Sequence, residues 1–193
     1  DLSYLDFRFN QLTEFDVDVS KWQYLNSLWL PFNNMKSLHE SVWSHPELIN
    51  LAINDNIGLK FPEKIELKQL LYFAAENNTV NIPKTLGKAQ FPAILFLYLN
   101  GNKMPDNTFP EKFETLTTIR SLGIAQCSLT ELPSKVLVQL KQLHQLDARH
   151  NNITSIDPTL IDFFKTQKVN QIYLDGNEGL DCKAAGGTDC DEK

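Results

Sequence analysis

Basic residues are the minority charge in this sequence. The 18 Lys and Arg stand against 24 Asp and Glu, giving a formal net charge of −6 and a pI near 5.2. A chain of that sign has no basic footprint with which to release counterions from a phosphate backbone, so nucleic acid is excluded as the expected partner. Long apolar runs are also missing. The longest covers residues 91–99 and contains Pro92, less than half of the roughly 20 residues a membrane-spanning helix requires, so this segment is not expected to insert into a bilayer. Histidine is sparse, at His39, His45, His144 and His150, and forms no HExxH pair; GxSxG and P-loop glycines are absent. Asp16 and Asp18 have no partner histidine and read as a solvated turn. The sequence therefore predicts no catalytic residue, no cofactor and no metal site.

What is abundant is leucine, 28 of 193 residues, and asparagine, 17. The length fits one domain or one uninterrupted repeat array, and the Leu/Asn excess points to a repeat. The pattern L-x-x-L-x-L-x-x-N-x-L fits eight consecutive times, starting at Leu2, Leu25, Leu48, Leu70, Ile94, Ile119, Leu143 and Val169. Positions four and six are apolar in every repeat: Leu5/Phe7, Leu28/Leu30, Leu51/Ile53, Phe73/Ala75, Leu97/Leu99, Leu122/Ile124, Leu146/Ala148 and Ile172/Leu174. Alternation with period two predicts one short strand per repeat. Position nine reads Asn10, Asn33, Asn56, Asn78, Asn102, Cys127, Asn151 and Asn177. A side-chain amide that both donates and accepts can satisfy the backbone where the chain turns out of the strand. A second apolar set follows each turn, at Phe15, Leu38, Phe61, Ile82, Phe109, Leu132 and Ile156. Prolines beside four of these, Pro62, Pro83, Pro110 and Pro133, favour irregular or short helical connections. Residues 111–117, 134–140 and 158–165 are the best helix candidates.

In these eight registers the chain resembles the leucine-rich-repeat family over nearly its whole length. The resemblance implies an α/β solenoid, a curved horseshoe fragment with a parallel concave β-sheet and convex loops, 3₁₀ turns and short helices. It assigns residues 1–180 to eight repeats and 181–193 to a C-terminal cap or tail. Nothing polar or cysteine-rich precedes the first repeat, so upstream repeats or a cap are expected to cover that end. It also implies that Cys127 belongs to the buried ladder and that Cys182 and Cys190 close a cap disulfide, although the four cysteines and tryptophan of the fuller cap are not present. A metal at this pair would have only Asp181, Asp189 and Asp191 to help it. A disulfide indicates an oxidising compartment, and the sequons at Asn77 and Asn152 agree with extracellular exposure.

The resemblance further implies a recognition scaffold rather than a catalyst, with a protein or peptide ligand. Plant or protist receptor-like proteins and receptor-like kinases are the nearest analogues by repeat length and single-disulfide cap. The expected role is a ligand-binding segment of a receptor ectodomain, extracellular or at the cell surface. The alternative is an intracellular scaffold or regulatory subunit in the cytoplasm, with all three cysteines reduced. Positions three, five, seven and eight project away from the core, and Trp29, Phe32, Tyr72, Phe96 and Tyr98 occupy outward positions within four neighbouring repeats. Large apolar rings with few rotors suit a partner interface. Ala52, Ala74 and Gly123 between them are expected to leave hollows. Repeats seven and eight present Asp147, Arg149, His150, Tyr173 and Asp175 instead, a charged second part of the expected binding face.

Overall fold

The computed structural model describes residues 1–105, 108–188 and 190. Each repeat contributes one three-residue strand: β1 Tyr4–Asp6, β2 Ser27–Trp29, β3 Asn50–Ala52, β4 Tyr72–Ala74, β5 Phe96–Tyr98, β6 Ser121–Gly123, β7 Gln145–Asp147 and β8 Gln171–Tyr173. They form one parallel sheet in chain order. Each strand meets the next at the same repeat position, as in Leu28↔Leu51 and Leu51↔Phe73. Such strands stay short because the chain leaves the sheet after position seven to cross the convex side. Position six donates its N–H to the carbonyl at position five of the following repeat, from Phe7 N to Trp29 O (2.8 Å) through Ala148 N to Tyr173 O (2.9 Å). The side chains at positions four and six are buried in every repeat except the first, where Leu5 is half-buried and Phe7 exposed.

The ladder at position nine forms as the residue types require. The Asn56 amide donates to Leu30 O of the preceding repeat (3.0 Å) and to Ile53 O of its own (3.0 Å), while its oxygen accepts Met35 N (3.1 Å). Asn33, Asn102, Asn151 and Asn177 repeat this arrangement. Cys127 takes the same place with its thiol 3.5 Å from Leu99 O and 3.3 Å from Ala125 O. Burial pushes that thiol up to about 11, so it stays a protonated donor at neutral pH.

Position eight, just before the ladder, is left-handed in all eight repeats: Phe9, Phe32, Asp55, Asn77, Gly101, Gln126, His150 and Gly176 have φ between 52° and 70°. The bend turns the N–H at position eight onto the next repeat, as in Asp55 N to Glu76 O (2.8 Å). Non-glycine residues rarely adopt this conformation. At Gly101, whose φ is +70°, a Cβ would collide with the Asn77 side-chain oxygen, so a larger residue there would require Asn77 to move.

On the convex side, two of the three expected helices are present, α1 (Ser134–Leu137) shorter than expected and α2 (Pro158–Thr166) one residue longer, and the third is a 3₁₀ turn at Glu111–Thr115. A further 3₁₀ turn spans Glu40–Val42. The longest, α2, starts with Pro158 behind an Asp157 cap that accepts Thr159 N (2.8 Å), and it buries Leu160, Phe163 and Phe164 on one face. The 111–117 stretch lacks such a side-chain cap.

The two ends of the sheet differ. At the β1 edge Leu2, Tyr4, Phe7 and Phe9 are exposed. The β8 edge is closed by the tail. Thr188 donates its N–H to Ile172 O (2.8 Å) and accepts Ile172 N on its hydroxyl (2.7 Å), so one residue answers both backbone groups of the last strand. The Cys182–Cys190 disulfide, with Cα atoms 5.8 Å apart, holds the loop that carries Thr188. Gly187 inside it is needed because a Cβ there would meet Cys182 Sγ at 2.4 Å. Asp189 and Asp191 lie outside the described residues; the carboxylate near the sulfurs is that of Asp175, 4.0 Å from Cys182 Sγ. Replacing both cysteines with serine is expected to cost about 2–3 kcal/mol in the chain-entropy model. Hydrogen exchange should show the loss concentrated at Ile172, and uniform loss over all eight strands would contradict this role for the tail.

Candidate ligand-binding face

Outward strand positions line the concave face, and the sequence-predicted residues divide there into four groups. Trp29, Tyr72 and Tyr98 come together as a continuous row, with ring centroids 5.7 Å apart at each step. They come from repeats two, four and five, so the rings lean across the intervening small residues. That overturns the expectation of hollows: Ala52 and Ala74 are only 1% and 2% exposed. Gly123 is likewise covered, since a Cβ there would lie 2.8 Å from Asn100 Oδ1 and 3.0 Å from Tyr98 Cδ1, too close for a side chain unless these move. The surface is a platform rather than a set of pockets. The Trp29 indole N–H is buried beneath it without a hydrogen-bond partner.

Phe32 does not join this row. It sits at the left-handed turn and stacks on Phe9, 4.6 Å between centroids at 7°. Phe96 is also separate, since it lines a cavity of about 490 Å³ with Arg120, Ser121, Gln142, His144, Gln145 and Gln171 beside the N-terminal ends of β5 to β8. The charged group does assemble. Arg149 grips Asp147 with two hydrogen bonds, at 3.0 and 2.7 Å, and lays its guanidinium over Tyr173 at 5.2 Å. Asp175 lies one turn further on, toward the disulfide.

Beside the aromatic row, near Tyr72, lies Glu76 at position seven of repeat four. It accepts a hydrogen bond from the Asn100 amide, whose oxygen accepts Ala125 N at 2.8 Å. Burial pushes the Glu76 carboxyl above its ordinary range; the Asn100 hydrogen bond opposes this, and the charges of Asp55 and Asp147 add to it. Burial also raises the Tyr72 hydroxyl, with Glu76 contributing.

No protein-family model matches the chain. Among solved structures, a leucine-rich-repeat protein of Leptospira interrogans superposes on 98% of this chain and 54% of its own, with a TM-score of 0.76 at 23% identity. The chain is a leucine-rich-repeat solenoid. The functional domain of InlJ from Listeria monocytogenes, a structure that includes a cysteine ladder, has the same fold over 93% of this solenoid and 40% of its own chain (TM-score 0.61, 18% identity). By sequence the solenoid is similar to keratocan of Gallus gallus, 28% identical over 189 residues, covering 92% of this chain and 46% of keratocan. It is also similar to fibromodulin of Bos taurus, 23% identical, covering 80% and 41% respectively. The solenoid thus spans less than half the length of these relatives. They are vertebrate proteins, which leaves the plant or protist affinity drawn from repeat length and cap without support.

One feature of the solenoid's face was missed at the sequence level although its residues stand in plain view. Asp6 and Arg8 repeat the Asp147/Arg149 arrangement in the first repeat. Arg8 bonds both Asp6 oxygens, at 2.9 and 2.6 Å, and lies over Trp29 at 5.5 Å. The guanidinium lowers the Asp6 carboxyl to about 2. The signal was the shared D-x-R at positions five to seven, followed one repeat later by an aromatic residue at position five.

Proposed function

We propose that this solenoid is a protein- or peptide-recognition segment of an extracellular protein and that it engages its partner through the concave face. The observation that carries this reading is the Trp29, Tyr72 and Tyr98 row, partly exposed on a face the fold does not need to furnish with rings. Asp147, Arg149, Tyr173 and Asp175 extend the same surface to the C-terminal repeats, while Phe32 and Phe96 border it. The compartment follows from the tail disulfide and from the likeness to keratocan and fibromodulin, which are extracellular matrix proteins. Cytoplasmic conditions would keep Cys182 and Cys190 reduced, so the scaffold alternative loses ground. Asn77 and Asn152 are both exposed and are the proposed glycan acceptors. Within this reading, a receptor ectodomain is the finer version, and a binding role without catalysis is the coarser one.

The test is an affinity measurement. A protein retained from extracellular-matrix extract by the immobilised wild-type chain would be purified, and its Kd compared for wild type and the Trp29→Ala/Tyr98→Ala double variant. Removing anchors at an interface centre is expected to weaken binding by at least about thirtyfold. Thermal melts of both proteins check that the fold is retained. Full affinity in a folded double variant would place recognition off the concave face.

A further inference from the structure

Twice on this face the chain builds the same unit. A carboxylate in one repeat holds an arginine, and that arginine lies over the position-five ring of the next: Asp6, Arg8 and Trp29, then Asp147, Arg149 and Tyr173. In the centre of the sheet the unit is incomplete. Tyr98 is again a position-five ring, and the preceding repeat again supplies a carboxylate, Glu76. Position five of that repeat is Ala74, so no acid there holds an arginine, and among the described residues no lysine or arginine lies within ion-pair distance of Glu76. We infer that the partner supplies the missing cation: the Glu76 carboxylate and the Tyr72 and Tyr98 rings form a subsite for a basic side chain, with arginine the best fit. This rests on the concave-face reading and names the chemistry of its central contact.

Three observations besides the repeated unit support it. Glu76 is half-buried and, among the described residues, accepts from only one donor, the Asn100 amide, which costs the charged form solvation that a cation would restore. The surrounding charge has the right sign, because Asp55 and Asp147 both act on Glu76, and Asp147 is the one already matched by an arginine. Among the described residues the Asp55 carboxylate accepts from neutral amides, those of Asn54 (2.8 Å) and Asn77 (3.0 Å). Rings beside a carboxylate in a partly desolvated concave site are the setting in which a guanidinium gains most from cation–π attraction.

The experiment titrates the 15N-labelled protein with N-acetyl-arginine amide, using N-acetyl-citrulline amide as the neutral isostere, and follows backbone amide shifts. Saturable shifts are expected at Ala74, Glu76 and Asn100 with the arginine compound and not with citrulline. Glu76→Gln keeps an acceptor for Asn100 and should weaken the arginine compound by about fivefold or more. Folding should survive that change. The raised carboxyl means the charged form is disfavoured in the native state, so Glu76→Gln is expected to melt no lower than wild type at pH 7, with the difference closing as the pH falls below the ordinary glutamate range. Equal response to arginine and citrulline, an unchanged affinity in Glu76→Gln, or shifts confined to other acidic surfaces would each overturn the assignment. A solenoid that ignores the arginine compound yet loses its protein partner in the Trp29/Tyr98 variant would keep the concave-face reading and lose only the cation.

Discussion

Phe73→Ala is expected to lower the free energy of unfolding by about 3–5 kcal/mol, the range for deleting a fully buried phenylalanine. Phe73 occupies position four of repeat four, where most repeats carry leucine, and it is completely buried. Its larger ring reaches the convex layer. There it meets Trp43 edge-on at 6.5 Å, Phe61 edge-on at 6.0 Å and Phe91 at 5.4 Å. These three come from the connections on either side of β3 and β4, so the one ring ties the sheet to convex segments of three repeats. Alanine would leave a cavity that rigid three-residue strands on both sides cannot collapse to fill. Phe73→Leu, which restores the residue type of the column, should cost clearly less than alanine. Urea unfolding followed by circular dichroism measures both. Because each repeat contacts mainly its neighbours, a second transition splitting the array near β4 is also expected in the alanine variant. A loss below about 1.5 kcal/mol would mean that the aromatic cluster is loosely packed.

Asn102→Ala should cost about 1–3 kcal/mol, because Val80 N loses its side-chain acceptor while Ala75 O and Leu99 O each lose one donor and keep those of Asn78 and Cys127. The amide donates to Ala75 O at 2.7 Å and to Leu99 O at 3.0 Å, and the side-chain oxygen accepts Val80 N at 3.4 Å. All lie at the turn between sheet and convex side, where Asn102 itself is 2% exposed and Val80 is half-buried. The native cysteine one repeat later supplies an internal control. Cys127 reaches the equivalent two kinds of carbonyl, Leu99 O in the preceding repeat and Ala125 O in its own, with a weak donor and no amide oxygen. Asn102→Cys is therefore expected to lose less than Asn102→Ala, and Cys127→Ala less than either. Equal losses for cysteine and alanine at position 102 would show that the ladder acts through volume and not through hydrogen bonds.

The sequence by itself determined the repeat, its register and the identity of the buried columns. Positions four, six and nine recur in phase, and residue type at each follows from whether it faces the core or the turn. The same periodicity identified which residues face outward, so Trp29, Tyr72 and Tyr98 were legible as candidates before any contact was known. What the tertiary structure decided involves either backbone conformation or contacts between residues that the repeat pattern does not pair. Left-handed φ at position eight is not encoded by residue type, because Phe9, Phe32 and Gln126 adopt it beside Gly101 and Gly176. The ladder and the hydrogen bond to the next repeat impose it. Whether small residues leave hollows depended on the lean of rings from neighbouring rungs, which covered Ala52 and Ala74. Thr188 became an edge cap because the disulfide returns the tail to β8. Glu76 carried no motif of its own. Its place between Tyr98, Asn100 and two other carboxylates exists only once repeats two to seven are stacked, because stacking sets which charges share a face and how much water remains between them.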